Sequence, residues 1–377
     1  MPRCKLWLVP FFATIISGCG WFSGGEESDE FLDDIAGLET ATEADVQPAS
    51  ANEERLELKL NVGDRFPLRK TVEQTLSQTT PQGEITSQSR LELLLAITVE
   101  EIREDRKQLG VRYHHIHYSQ NVAGKKLVYD SRNPQYPVPL EVQAYHGLVN
   151  NGFSFWIGPD NKIIELVDFH SFLTRCVRDV PFEQRQSVIT KLAETSGEEG
   201  IANFVDDSIG LLPYNVNENG GGTTVKVGDT WLRKRQIVRP IPLYLTSTCT
   251  LTALTDRYAE IDIVGDVTPS ATYGPSDQPH NNVSITVRGG RSFGHCRIDR
   301  NSGLPIHSRM ELDLEMVVKT ANGTQFEQKK KIVTTIDTYP QHAVTTTAHS
   351  YQAGQQQPPV FQPSTQISNT SAGRGTR

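Results

Sequence analysis

Long stretches of this sequence alternate between apolar and polar residues, and this alternation constrains the fold more than any other feature. A run from Met310 to Val318 places apolar residues at every second position, and similar runs begin at Leu56, Leu91 and Leu243. A period of two is typical of a strand with one buried and one solvated face. Several runs exceed ten residues, so the sequence predicts a mainly β protein with long antiparallel strands in curved sheets or half-barrels.

Turn sequences between these runs predict β-hairpins. Asn322-Gly323 lies between two strand patterns, as does segment 80–84 (TPQGE), and Gly124 and Asn161 mark two shorter connections. Glycine and asparagine accept the left-handed backbone that tight turns require. Strands that follow one another in the chain are therefore expected to pair.

Helical spacing is concentrated in one block, residues 168–209. Apolar residues recur three and four positions apart over 169–177, Pro181 interrupts the pattern, and the spacing resumes over 188–193. A short third helix is predicted over 201–209. Helices in this block are expected to cover an apolar sheet face or to plug the mouth of a barrel.

A short motif occurs twice. Val62-Gly63-Asp64 is followed by an aromatic residue and a strand pattern, and Val227-Gly228-Asp229 is followed by the same features. Glycine supplies a permissive backbone and aspartate can cap a turn. The repetition predicts two related β-rich halves, residues 55–212 and residues 213–339, with the helical block at the end of the first.

Four motifs in this order carry a resemblance to a known family. They are Gly63-Asp64-Arg65-Phe66, Lys226-Val227-Gly228-Asp229-Thr230-Trp231, Asp299 to Pro305 (DRNSGLP) and Val333-Thr334-Thr335-Ile336. Over most of residues 55–339 the chain resembles a family of bacterial lipoproteins known only by a domain of unknown function. The resemblance implies a β-rich body but no activity, ligand or catalytic residue.

The N-terminus resembles a bacterial lipoprotein signal peptide. Two basic residues precede eleven uncharged, largely apolar residues (6–16), which is too short a run for a spanning helix. Ile16-Ser17-Gly18-Cys19 matches the lipobox, which is cleaved between Gly18 and Cys19. The resemblance implies removal of residues 1–18 and attachment of diacylglycerol, with acyl chains such as palmitate, to the Cys19 thiol. An ordinary secretory signal with a coincidental cysteine is the alternative.

The segments flanking the body have compositions typical of disorder. Residues 20–54 contain eleven acids and neither Lys nor Arg, so residues 19–54 are expected to form a self-repelling tether. Residues 340–377 are rich in Gln, Pro, Ser and Thr and are expected to form a disordered tail. Gly20, where some inner-membrane lipoproteins carry Asp, slightly favours the outer membrane, with the body on the periplasmic side.

Three cysteines remain outside the signal and the anchor. An exported protein can form disulfides, and Cys249 and Cys296 both lie on strand patterns of the second half. Their pairing is the favoured prediction, and three buried free thiols including Cys176 are the alternative. A catalytic cysteine is not expected, because the sequence places no histidine partner beside one.

Histidines provide the one hint of a metal site. His115 and His117 would share one face of a strand with His114 opposite, but zinc needs a third or fourth protein ligand and no spacing supplies one. Lys329-Lys330-Lys331 predicts a charged edge strand. Alternating acids at Glu311, Asp313 and Glu315 predict a solvated sheet face.

Composition narrows the function without naming it. The net charge of −8 argues against nucleic-acid binding, and the phosphate-loop, nucleophile-elbow, HExxH and CxxC motifs are missing from the sequence. We therefore expect a non-enzymatic lipoprotein without a cofactor, with a binding or structural role in the bacterial envelope. Its partners are the membrane, through the lipid on Cys19, and an unidentified protein, polymer or lipid. A periplasmic carrier of lipids or other hydrophobic ligands is the first alternative, and a metal-dependent hydrolase the second.

Overall fold

A computed structural model describes residues 53–80, 83–186, 189, 209–213, 223–237, 243–269, 283–320 and 323–338. The strands are β1 (Glu54–Arg55), β2 (Arg65–Thr80), β3 (Gly83–Arg103), β4 (Arg106–Val122), β5 (Lys125–Asp130), β6 (Gly152–Ile157), β7 (Ile163–Val167), β8 (Thr224–Val225), β9 (Thr230–Ile237), β10 (Leu243–Leu254), β11 (Tyr258–Pro269), β12 (Val283–Asp299), β13 (Pro305–Thr320) and β14 (Gln325–Thr338). The helices are α1 (Leu140–Leu148), α2 (Phe169–Cys176) and a 3-10 turn (Ile209–Leu211).

Twelve strands form one antiparallel sheet, which confirms the predicted mainly β fold. Their order is β7-β6-β4-β3-β2-β14-β13-β12-β11-β10-β9, with β5 paired to β4, and β1 and β8 form a separate pair. The four predicted turns each join strands that pair with one another. Both predicted halves contribute to this sheet, because β14 near the end of the second half pairs with β2 at the start of the first.

The sheet has an inner and an outer face. We call inner the face that carries Leu93, Ile116, Cys249, Ile261 and Ile336, all of which are buried. The upper end of the sheet contains the β2–β3 and β4–β5 turns, and the lower end contains the β3–β4, β10–β11 and β12–β13 turns. Strand alternation assigns every residue of a ladder to one of these faces.

Glycines on the inner face allow the C-terminal strands to curve. A β-carbon on Gly265 would lie 2.5 Å from Ser292 Oγ, and one on Gly294 would lie 2.2 Å from Met310 Sδ. Inward side chains converge on the concave side of a sheet, so positions without a side chain relieve crowding there. A register shift beside Gly289 in β12 adds a local bend.

The two Val-Gly-Asp motifs fold into the same turn. Gly63 N–H donates to Val99 O and Gly228 N–H donates to Leu251 O, both at 2.8 Å. The aspartate after each glycine accepts a hydrogen bond at its carboxylate from the backbone N–H three residues earlier, at 2.7 and 3.0 Å. Both turns dock a long strand onto its neighbour, so the repeated sequence has a repeated structural role.

The lower half of the inner face is an apolar core. Helices α1 and α2 cover β4 and β6, and Phe153, Phe155 and Phe172 pack there with other buried apolar residues. A β-carbon on Gly147 of α1 would lie 1.8 Å from Cys176 O, so the two helices are in backbone contact. Helix α2 matches the spacing seen in the sequence, whereas α1 was not predicted. Residues 182–186 and Ile189 are also helical. The predicted helical segment 188–193 is described only at Ile189, and its other residues and residues 201–208 lie outside the described residues.

The segment before β2 closes the lower end. Leu56, Leu58 and Leu60 are buried in the lower core. Glu54 Oε2 accepts a hydrogen bond from Arg300 Nη2 at 2.5 Å, and the Lys59 side chain lies 3.4 Å from the same carboxylate. Burial raises the pKa of Glu54, but the hydrogen bonds and charges of these two cations lower it by more, so the carboxylate stays ionised.

Replacing Gly63 or Gly228 by Ala should lower the free energy of unfolding by roughly 1 to 2 kcal/mol, because φ is +91° and +94° at these positions. An added β-carbon would have nothing within 4 Å, so the cost is backbone strain and not a clash. Urea denaturation measures it. Asn at the same positions is the control and should cost less, because Asn tolerates positive φ. Equal stability of the Ala variants and the parent would contradict this account.

Candidate ligand-binding site

Three consecutive lysines in β14 lie in a different place from that expected. The sequence predicted an edge strand, but β14 lies between β13 and β2 in the middle of the sheet. Lys329 and Lys331 point outward, where Lys331 pairs with Glu311 and Lys329 lies 3.9 Å from Glu315. Alternation therefore directs Lys330 to the inner face, where it is 5% exposed.

Two adjacent rows of cross-strand partners on the upper inner face form the candidate site. The first row is Leu76, Lys330, Leu314, Gly290, Val267, Leu245 and Arg235, from β2 to β9. The second row is Gln74, Ile332, Leu312, Ser292, Gly265, Ser247 and Arg233. Most of the apolar members belong to a cluster separate from the lower core.

Apolar residues flank Lys330 on its own strand and on both neighbouring strands. Leu76 and Leu314 are its cross-strand partners, and Ile332 is the next inward residue of its own strand. Burial lowers the pKa of the Lys330 ammonium from 10.5 to about 7, since a charge is poorly solvated there. Near neutral pH this residue therefore exchanges a proton easily, which is uncommon for a lysine.

Polar groups are enclosed in the second row beside this lysine. Ser292 is 1% exposed, and its Oγ has no hydrogen-bond partner in the described part of the chain. The same holds for Gln74 Nε2. Above the first row, Gln328 Nε2 donates to Gln78 Oε1 at 3.1 Å. Buried polar groups are normally paired, so each of these donors, which lie three strands apart on β2 and β12, is a point at which a partner from outside the described residues can supply an acceptor.

The charges of the two rows have one sign. Lys330, Arg233 and Arg235 are cationic and no member of either row is acidic. On the outer face several cations have acidic partners, such as Arg297 with Glu260 at 2.7 Å. The upper inner face places its positive charge inside an apolar lining.

The histidines lie on the outer face, away from the two rows. His115 Nε2 lies 2.8 Å from Asp130 Oδ1, and His117 Nδ1 lies 3.9 Å from Asp130 Oδ2. His114 was expected opposite them, but it is the extra residue of a β-bulge and contacts the exposed Arg65 at 3.2 Å. Burial raises the pKa of Asp130, but the N–H of Arg132 and His115 lower it by more.

The thiols of Cys176, Cys249 and Cys296 are free and buried, which differs from the favoured Cys249–Cys296 disulfide. Cys249 is on β10 and Cys296 is on β12, with β11 between them. Strands two apart are separated by about 10 Å, beyond the reach of a disulfide. Burial raises the pKa of Cys249 to about 11 and that of Cys296 to about 12, so both thiols are protonated at neutral pH.

In the described ranges, no three His, Cys, Asp or Glu side chains are grouped so as to hold a metal ion. Within the same ranges, no helix is both long and apolar enough to span a membrane. Gly18 and Cys19, the predicted cleavage and lipidation site, lie outside the described residues, as do the signal, most of the tether and the tail.

A comparison with protein families matches residues 104–305 to a family of unknown function, DUF6263. The match covers more than half of the chain. The chain belongs to this family. The matched region runs from the end of β3 to the start of β13 and so contains the helices and most of the sheet. No curated protein matches the sequence.

Several solved structures are distantly similar. A structure of lipovitellin, described for its lipid–protein interactions, matches 74% of this chain at 10% identity with a TM-score of 0.41, and this chain spans 25% of it. An outer membrane channel from Pseudomonas putida matches 78% of this chain and 100% of its own at 6% identity and a TM-score of 0.21. A DUF1329 family protein from Desulfovibrio piger matches 72% of this chain and 85% of its own, at 10% identity and a TM-score of 0.12.

Sequence reasoning missed Lys330, Arg233 and Arg235 because each sits in a run of charged residues that looks solvated. The sequence did contain a signal, because every second residue of a strand lies on the same face. Lys330 is two residues before Ile332 and six before Ile336, and Arg233 and Arg235 are two and four residues after Trp231. The apolar residues near the ends of these strands therefore indicate which charged residues between them point to the inner face.

Replacing Lys330 by Met should stabilise the fold at pH 6, with an advantage that shrinks as the pH rises from 7 to 10. Between the folded pKa near 7 and the ordinary 10.5, the unfolded chain binds a proton that the folded chain has released. The stability of the parent then rises by up to about 1.4 kcal/mol per pH unit. Urea denaturation at several pH values tests this.

Lys331→Met is the matched control, because Lys331 is exposed and paired on the outer face. Its stability difference from the parent should be small, about 1 kcal/mol or less, over the same pH range. A Lys330→Met effect that does not change with pH would contradict the burial of an ionisable ammonium.

Proposed function

We propose that this chain is a non-enzymatic, lipid-anchored protein of the bacterial envelope that binds a hydrophobic ligand on its upper inner face. The observation that supports this best is the composition of the two rows, which combine an apolar lining with a buried lysine and two enclosed polar groups that have no partner among the described residues. The lower core is filled by helices and needs no ligand.

Binding is a better account of this site than catalysis. Catalytic groups normally sit close enough to exchange protons, as a nucleophile does with its base. Here the buried thiols are protonated, and His115 and His117 meet Asp130 on the opposite face of the sheet. Cations set among apolar side chains favour holding a molecule by burial and charge.

The anchoring part of the proposal rests on the sequence. A cysteine lipid would hold the protein on the periplasmic side of a membrane, with the outer membrane favoured, and the eleven acids of residues 20–54 would keep the body away from an anionic lipid surface. In this arrangement the ligand is bound at a distance from the membrane and not within it.

Cys19→Ser should abolish acylation, because the serine hydroxyl does not replace the thiol that receives diacylglycerol. The variant is expected to leave the detergent phase in a detergent-partition assay and to lose the mass of the lipid. Cys176→Ser is the control, since Cys176 is buried in the body, and it should remain anchored. Unchanged partitioning together with retained lipid mass in Cys19→Ser would contradict the anchor.

The full chain extracted from membranes in a detergent-free polymer should carry a non-covalent hydrophobic molecule, detected by native mass spectrometry. Ser292→Trp fills the second row and should remove it. Phe293→Trp changes the neighbouring outward residue, which is 43% exposed, and should leave it bound. Circular dichroism verifies that both variants fold. An empty parent chain, or equal retention by two folded variants, would count against binding at this face.

A further inference from the structure

We propose that Ser247, Gly265 and Ser292 form a subsite for the carbonyl oxygen of an acyl group, with the hydrocarbon chain of the ligand on the apolar residues beside them. This inference rests on the proposed function and adds the chemical class of the ligand. The three residues are consecutive members of the second row, on the adjacent strands β10, β11 and β12. The subsite therefore occupies one strand and its two immediate neighbours.

The two serine hydroxyls converge over the bare backbone of Gly265. A β-carbon on Gly265 would lie 2.5 Å from Ser292 Oγ and 2.6 Å from Ser247 Oγ, so the two hydroxyl oxygens are at most about 5 Å apart. A hydroxyl donates to an oxygen acceptor at about 2.8 Å, so one oxygen atom placed between them can accept from both. The spacing of these two donors therefore matches a single ligand atom.

Ser292 supplies an enclosed donor to this subsite. The residue is 1% exposed, and its Oγ has no hydrogen-bond partner in the described ranges. An enclosed hydroxyl without an acceptor costs free energy, which a ligand oxygen would recover. The new hydrogen bond would form away from bulk water, where such bonds are strongest.

Gly265 is covered differently from Gly290 and Gly294, the neighbouring inward glycines of β12. The side-chain atom nearest to a β-carbon on Gly290 would be Leu314 Cδ2, and on Gly294 it would be Met310 Sδ. On Gly265 the two nearest atoms are hydroxyl oxygens. Apolar atoms are sufficient to fill the space above a glycine, so the paired hydroxyls favour recognition of an oxygen atom.

The residues beside the subsite favour an acyl group as the source of that oxygen. A carbonyl oxygen carries two lone pairs and no hydrogen, so it can accept from both hydroxyls at once. Leu245 and Val267, the next inward residues above Ser247 and Gly265, are both buried in the apolar cluster that is separate from the lower core. Each methylene that leaves water for such a surface contributes about 0.8 kcal/mol. A carbonyl joined to a hydrocarbon chain fits both parts.

Three probes test the subsite: hexadecanoate and methyl hexadecanoate, which carry an acyl carbonyl, and hexadecane, which carries none. Each probe competes with the fluorescent apolar dye phenylnaphthylamine for the complete chain after residue 18. This chain carries Cys19→Ser, which keeps it free of covalent lipid. All three probes should displace the dye from the parent. The acyl probe that binds the parent more tightly identifies the ligand as a free carboxylate or an ester.

Ser292→Ala and Ser247→Ala should each weaken both acyl probes about fivefold to tenfold, which corresponds to the loss of one hydrogen bond. Hexadecane should stay within about twofold of its affinity for the parent. Thr248→Ala is the control, because it removes an exposed, outward hydroxyl of β10, and it should leave all three affinities unchanged. Circular dichroism verifies that the variants fold.

Unchanged affinities of the acyl probes in both serine variants would overturn the acyl subsite, as would an equal loss for hexadecane. A loss confined to one acyl probe would also overturn it, since the carbonyl is the group that the two probes share. In each of these cases the proposed binding of a hydrophobic ligand stands. If no probe binds to the folded parent, both proposals are wrong.

Discussion

The burial of one face of a single antiparallel ladder determines the rest of this structure. Each strand must place every second residue on the inner face, and the register of each neighbour extends that choice across the sheet. Residues that look unrelated in sequence, such as Lys330 and Arg235, thereby become members of one row. The row to which each residue belongs determines whether it packs in the lower core beneath the helices or lines the candidate site.

Much of this fold was predictable because its signals are local. Alternation gave the strands, Asn-Gly and related turns gave the hairpins, and the spacing from Phe169 to Cys176 gave α2. Helix α1 escaped prediction because it is nine residues long and directly follows Pro139, so its beginning resembles a loop. The pairing of β14 with β2 was also missed, because no local sequence pattern indicates which distant strand will pair with the free edge of β2.

The candidate site was harder to predict than the fold for a related reason. A run of three lysines reads as solvated in any window of sequence, and only the position of β14 inside the sheet shows that the middle one is enclosed. The histidines needed the structure for their detail. Their spacing hinted at part of a metal site without a third ligand, and the structure places His115 and His117 beside the carboxylate of Asp130, with His114 in a β-bulge.

The pairing of β2 with β14 also has a consequence for how the chain folds. Gln78 and Gln328 are hydrogen-bonded although they are 250 residues apart in sequence. During synthesis the first strand emerges long before its partner, so the edge of β2 stays unpaired until nearly the whole body has been made. Closing so large a loop is slow. The newly made chain therefore passes through a stage with an open strand edge, at which a chaperone would be most useful.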